Sequence, residues 1–308
     1  SHALRLHRVD GLQFHAATFT NLSPEHLDFH RDMDDYREAK ATLFTQHLHP
    51  SGLAVINTDD EHGRIIYKRL ERDRRLSFGL LTAADITAKD YLLSLQGTEF
   101  LLSTPDWEWK THSPLLGEHN LRNLLGAAGT GIALGLPADA IVQGLESVQV
   151  IPGRLELVTA HNGARVLVDY AHTPDGLQQV LSTLAALPHR KMITVFGCGG
   201  DRDRKKRPVM GRIALQFSDH VIVTSDNPRT EDPMDIIREI KVGMTIGRDR
   251  YEVIADRRKA IERGLDLIGD EDVVLVAGKG HETTQTIGTT AYPFDDRVVI
   301  RELLAEAE

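Results

Sequence analysis

The alternation in the second half of the chain limits its fold more than any other feature. Arg165–Asp169 reads as a strand before a helix over Pro174–Leu187, and Met192–Phe196 as one before a helix from Pro208 to Phe217. His220–Thr224 leads to a helix over Met234–Met244, Tyr251–Ile254 to one over Arg257–Ile268, and Val273–Ala277 runs into a loop at Gly278. Repeated βα units of this length argue for a mostly parallel, doubly wound sheet. Upstream, Ile151-Pro152-Gly153-Arg154 interrupts the periodicity, which places a domain boundary there and gives domains of 1–151 and 152–308.

The first half is mixed. Asp34–His47 has apolar positions at helical spacing, and Gly52–Asn57 is a short buried strand. Between Leu80 and His112 come β-like runs with turn signals, then a small-residue helix over Asn120–Leu134 and another from Pro137 to about Val148. With 308 residues, 41% of them hydrophobic, the chain can bury a sizeable core in two domains. A formal charge of −9 argues against nucleic-acid binding through a basic surface. Cys198 is the only cysteine, so neither an internal disulfide nor a cysteine-based zinc site can form, which fits a reducing cytoplasm. No apolar run approaches the roughly 18–20 residues of a membrane helix. The chain opens Ser1-His2-Ala3-Leu4 without a methionine and reads as cut from something longer.

In an open α/β sheet, ligands bind beyond the carboxyl ends of the strands, so the loops there carry the candidates. Asp226-Asn227-Pro228-Arg229 follows an apolar strand in a rigid turn, and Thr230 or Asp232 can cap the next helix. Arg229 either offers a planar fork to a carboxylate or phosphate, or pins the turn. Thr173 reads as an N-cap before Pro174, leaving Asp169 and His172 to face the crevice or to tie down their turn. Gly197-Cys198-Gly199-Gly200-Asp201-Arg202-Asp203 and Gly278-Lys279-Gly280-His281-Glu282 are glycine loops with charged tips. The run Arg202, Arg204, Lys205, Lys206 and Arg207 reads as a solvated helix start. His26 and His30 stand four apart, a metal-binding spacing that chance also produces among 15 histidines. Lys40 looks like an ordinary helix lysine, and Asn120 either presents its amide to a base edge or caps its helix.

Ten segments in order now resemble one family, the Mur ligases: SHALRLHRVDG, FTNLSPEHLDFH, AKATLF, INTDDE, GEHNLRN, PGRLE, VDYAHTPD, FGCGGDRDRKKRP, DNPRTEDP and AGKGHETTQ. Within it, the resemblance is to the branch that adds meso-diaminopimelate to UDP-N-acetylmuramoyl-L-alanyl-D-glutamate. It implies ATP and Mg2+ as cofactors, an acyl-phosphate intermediate, a place in peptidoglycan synthesis, and small-molecule partners with neither nucleic acid nor membrane. The fold it implies is a central P-loop-type ATPase domain followed by a Rossmann-like doubly wound C-terminal domain. By resemblance, His26 matches a magnesium-ligating histidine and Lys40 a lysine carried as its carbamate. Asn120, Arg154 and Asp169 match nucleotide contacts, and Arg8 a contact to the UDP-linked substrate. Arg202, Asp226, Asn227, Pro228, Arg229, Gly278 and Glu282 match the amino-acid pocket, with Glu282 set to hold the distal amine.

The departures are as informative. No G-x-x-x-x-G-K-[ST] phosphate loop occurs, and the acidic metal ligand expected just before Ser1 is missing. The chain therefore reads as a C-terminal fragment, expected to be inactive by itself. The competing readings are a lysine-adding relative, disfavoured by Arg229, folylpolyglutamate synthetase, and a truncated binding module without catalysis.

Overall fold

The computed structural model describes residues 1–23, 29–161, 164–247 and 249–307, and the chain separates into two units, Ser1–Gln149 and Val150–Glu308. The first unit begins with helix α1 (His2–Arg5) and strand β1 (Phe14–Phe19). Asp32 then caps helix α2 (Met33–Thr45), its carboxylate accepting the Asp35 amide at 2.8 Å. Strand β2 (Leu48–Asn57) pairs in parallel with β1 and with β3 (Arg75–Phe78), in the order β1-β2-β3. It starts four residues before the expected Gly52. Pro50 and Ser51 hide that extension, and the register shift between Phe14 and Ala16 accommodates it. Helix α3 (Glu61–Arg69), capped by Asp60, packs against β2.

The β-like stretch becomes an antiparallel meander of β4 (Thr87–Ser94), β5 (Gly97–Ser103) and β6 (Glu108–Ser113). Helices α4 (Glu118–Ala133) and α5 (Ala138–Ser147) follow it. Phe19, Phe44, Ala54, Ile56 and Ile66 form part of the core, with Ala54 and Ile56 fully buried.

The second unit starts with β7 (Glu156–His161), an antiparallel edge strand on β8 (Ala164–Asp169). Thr173 caps helix α6 (Pro174–Ala185), accepting the Gly176 amide at 3.1 Å. There follow β9 (Met192–Phe196), α7 (Lys206–Phe217), β10 (His220–Val223), α8 (Pro233–Lys241), β11 (Tyr251–Val253), α9 (Arg257–Asp266) and β12 (Val273–Ala277). Asp232, not Thr230, caps α8 through the Met234 amide at 2.7 Å. The strand order is β11-β10-β9-β12-β8-β7, parallel from β11 to β8.

Every residue of β12 is at most 1% exposed, as a central strand covered on both faces must be. One face packs Val166, Val195, Ile222, Val274 and Val276 against Ile261 of α9 and Ile300 of the last helix, α10 (Asp296–Ala307). Before α10 comes a hairpin, β13 (Thr284–Ile287) and β14 (Thr290–Pro293), paired antiparallel. Among the described residues, no helix is long and apolar enough to cross a membrane.

Candidate functional site

Parallel register brings four loop origins of the second unit together. Ala277 lies level with both Asp169 and Phe196, and Val223 level with Phe196. The loop after β10 is gripped from two sides. On one side the Gly200 amide donates to the Asn227 carbonyl at 2.9 Å, and Arg229 Nη1 donates to the Gly200 carbonyl at 2.7 Å. A Cβ on Gly200 would strike the Pro228 carbonyl, so only glycine allows the two loops this close. On the other side stands the β13–β14 hairpin. The Thr286 amide donates to Asn227 Oδ1 at 2.9 Å, Gln285 Nε2 to the Asp226 carbonyl at 2.7 Å, and the Gly288 amide to the Arg229 carbonyl at 2.7 Å.

Arg229 has φ of 51°, in the left-handed region. That conformation costs a non-glycine residue about 1–3 kcal/mol, and the surrounding hydrogen bonds hold it there. Beyond the Gly200 contact, its half-buried guanidinium has no hydrogen-bond partner among the described residues.

Below this loop lies Lys279, fully buried rather than at a charged tip. Its Nζ donates to Asn227 Oδ1 at 3.2 Å, Glu282 Oε2 at 3.0 Å and the Thr284 carbonyl at 2.5 Å. Asn227 Nδ2 also donates to Glu282 Oε2, at 2.8 Å. Burial pushes the Glu282 carboxyl up, but the hydrogen bonds from Asn227 and Lys279 and the nearby Lys279 and Arg229 charges hold it below its ordinary value. Glu282 Oε1 carries no hydrogen bond among the described residues.

Asp226 is 6% exposed; burial raises its pKa, against the opposing charges of Arg257 and Lys279. Gly278, at φ of 117°, passes beneath it: a Cβ there would sit 2.6 Å from Asp226 Oδ2. The structure thus brings Asp226, Asn227, Pro228, Arg229, Gly278 and Glu282 into one cluster.

Arg202 stands apart. It is exposed, and among the described residues it donates only to the carbonyl of its neighbour Asp201, at 3.0 Å. The basic run around it is not uniformly solvated, because α7 begins two residues before the expected Pro208 and turns Arg207 inward. Arg207 has no exposed surface and binds Glu231 with both Nη atoms, at 2.8 and 2.9 Å. Glu231 also receives Arg204 and the Asp201 amide. The hydrogen bond from Arg207, reinforced by Arg204, holds the Glu231 carboxyl far below its ordinary range.

A depressed carboxylate contributes stability that is present above its unfolded pKa and lost as pH falls through the folded one. We expect the melting temperature to start falling below about pH 4.5, the unfolded glutamate value, and Glu231→Gln to flatten that acid limb. Melting curves between pH 7 and 3 check this; an unchanged limb in the variant would refute it.

Asp169 is enclosed at the end of β8. It is 2% exposed, and its two oxygens accept the Leu155 and Ala171 amides, each at 2.7 Å. It ties down its turn. Burial raises its pKa, opposed by those two amides and by Arg154 and His172. Arg154 is exposed and lies 5.3 Å over the Tyr170 ring, which also meets His172 and His281.

In the first unit, Arg8 is exposed in the turn after α1, and Arg5 links α1 to α2 through Asp35 at 2.7 Å. Lys40, on α2, is partly buried with its Nζ 5.2 Å from the Tyr36 ring centre. His30 is buried, stacks on Tyr36 and meets Ser1 Oγ at 2.9 Å through Nε2. His26 lies outside the described residues. Asn120 caps nothing: it sits in the first turn of α4, 2% exposed, donating to the Leu116 carbonyl at 2.8 Å. Among the described residues, no three His, Cys, Asp or Glu side chains converge as metal ligands.

Residues 1–131 match the Mur ligase middle domain, and residues 153–280 the Mur ligase glutamate ligase domain. A UDP-N-acetylmuramoyl-L-alanyl-D-glutamate–2,6-diaminopimelate ligase of Solibacter usitatus is 44% identical over 306 residues, 99% of this chain and 62% of the relative. A solved structure of a ligase with that name is similar with a TM-score of 0.68 at 38% identity, over 99% of this chain and 63% of the other. Mycobacterium tuberculosis folylpolyglutamate synthase shares the fold alone, with a TM-score of 0.67 at 21% identity, over 85% of this chain and 61% of the other. The chain thus spans 62% of the length of the Solibacter relative. Both matched domains belong to one family and follow each other in order, and the chain belongs to the Mur ligases.

Proposed function

We propose that this chain supplies the amino-acid site of an ATP-dependent ligase that joins meso-diaminopimelate to the D-glutamate of UDP-N-acetylmuramoyl-L-alanyl-D-glutamate. In that reaction ATP phosphorylates the glutamyl carboxylate and leaves as ADP, and the incoming amine attacks the acyl phosphate and expels inorganic phosphate. The first unit is then the remnant of a P-loop-type ATPase domain without its phosphate loop, and residues 152–308 are the amino-acid-binding domain.

One observation carries the reading: the Arg229 guanidinium keeps most of its donors unused in a half-buried position beside Glu282. Diaminopimelate carries a carboxylate and an ammonium at its far end, whereas lysine carries the ammonium alone. Arg229 matches the carboxylate, and the unengaged Glu282 Oε1 matches the ammonium. Lys279 supports both indirectly by holding Asn227 and Glu282.

The nucleotide roles of Asn120, Arg154 and Asp169 remain part of the proposal, and Arg154 is the exposed member of the three. Arg8 is assigned to the UDP-linked substrate. Mg2+ is assigned to His26 and carbamylated Lys40; the described donors alone do not fit the ion, since the unmodified Lys40 ammonium repels it.

Titration calorimetry of the chain with meso-diaminopimelate and with L-lysine tests the reading. Binding at least about tenfold tighter for the former is expected. Equal affinities, or a preference for lysine, would remove diaminopimelate as the substrate.

A further inference from the structure

We infer that Arg207 is a positioning residue for amino-acid selectivity: its buried fork sets the spacing between the glycine loop and the Arg229 loop. The inference rests on the proposed role of Arg229 and adds a residue that this role does not itself require.

Two chains of contacts run from the one guanidinium to Arg229. In the first, Nη2 donates to the Gly199 carbonyl at 3.1 Å. The next residue, Gly200, carries the carbonyl that Arg229 Nη1 grips and the amide that binds the Asn227 carbonyl. In the second, the two Nη atoms hold both oxygens of Glu231. Glu231 Oε1 takes the Asp201 amide at 2.6 Å, and Asp201 takes the Thr230 hydroxyl at 2.7 Å and the Thr230 amide at 3.2 Å. That path ends one residue from Arg229.

Neither path has slack. Asp201 and Arg229 both hold left-handed backbone, with φ of 53° and 51°, so each loop needs external contacts to keep its shape. A Cβ on Gly199 would lie 3.0 Å from Arg229 Nη1, which shows how little room separates the loops. Glu239 also binds Arg207, at 2.7 Å, but touches neither Gly199–Asp201 nor Thr230, so it balances charge without setting the spacing. A lysine at 207 would keep the charge and lose the geometry, because a single ammonium cannot span both Glu231 oxygens and the Gly199 carbonyl.

The test compares Arg207→Lys and Glu231→Gln with Glu239→Gln by amide hydrogen exchange and by titration with meso-diaminopimelate and lysine. In the first two variants, the Gly200 and Asp201 amides should exchange about tenfold faster while Val274 and Val276 in β12 keep their protection. The preference for diaminopimelate over lysine should fall by about 10–100-fold, with lysine affinity unchanged. Glu239→Gln should leave both readouts near the parent. Wild-type protection at Gly200 and Asp201 in folded Arg207→Lys or Glu231→Gln would overturn the inference. An equal loss for both ligands would overturn it too, since it marks a merely structural role. If the parent chain does not prefer diaminopimelate, the proposed substrate fails, while exchange at Gly200 still decides whether Arg207 sets the loop spacing.

Discussion

Arg257→Ala should destabilise the second unit by about 3–5 kcal/mol, the cost of leaving one member of a buried ion pair alone. Arg257 and Asp296 have fully buried side chains and meet in a fork, Nε to Oδ1 at 2.8 Å and Nη2 to Oδ2 at 2.7 Å. The same guanidinium donates to the Ser225 carbonyl after β10 at 3.3 Å and to the Ala277 carbonyl at the end of β12 at 3.1 Å. It therefore ties two strand ends to the start of α10.

Arg257 is also the first residue of α9, where the helix dipole disfavours a cation by about 0.3–1 kcal/mol. That penalty is too small to offset the loss of the pair. Typical domain stability is about 5–15 kcal/mol, so the loss removes a large share of it. Both tryptophans, Trp107 and Trp109, belong to the first unit, so urea unfolding followed by fluorescence reads that unit and circular dichroism reads both. An early transition seen by dichroism alone is expected. Arg257→Met with Asp296→Leu should recover most of the loss, since an apolar pair leaves no buried charge. A drop below about 1 kcal/mol for Arg257→Ala alone would show that Asp296 finds water or another cation.

Strands β8, β9, β10 and β12 were legible because each is a short apolar run bounded by polar turns, whereas the edge strand β7 was not, and Thr173 capped the helix its chemistry indicated. The β13–β14 hairpin was not. All four residues of β14 are exposed, so it has no apolar alternation, and it matters through backbone hydrogen bonds to a loop that sequence cannot bring near. Arg207 was misread for a related reason. Inside a run of charges nothing local separates a buried arginine from a solvated one; its carboxylate partners lie 24 and 32 residues away. Asp169 and Asn120 are buried to an extent their polarity does not signal. The Asp169 oxygens accept the Leu155 amide, 14 residues away, and the Ala171 amide in its own turn, while the Asn120 amide donates to the Leu116 carbonyl, and sequence alone indicates neither set of partners. Lys40 exposes a different limit, because the chemistry proposed for it is a modification that no neighbouring residue encodes.

Arg229→Ala should abolish the preference for meso-diaminopimelate while leaving lysine binding within about threefold. Losing one partner of a hydrogen-bonded charge pair costs about 2–5 kcal/mol, or roughly 30- to several-thousand-fold in affinity. Because the guanidinium is only half buried, solvent screening places the expected loss toward the lower end of that range. The loop itself should survive. Its backbone is held by the Thr286 carbonyl at 3.1 Å and the Gly288 amide at 2.7 Å, and neither bond needs the side chain. Alanine at φ of 51° keeps the left-handed strain, whereas glycine relieves it, so Arg229→Gly should be more stable than Arg229→Ala by about 1 kcal/mol. The two variants should nevertheless bind diaminopimelate equally poorly. That combination separates the guanidinium from the turn: if glycine restores binding, the turn shape selects the ligand, and if both variants bind as the parent does, Arg229 only closes its loop.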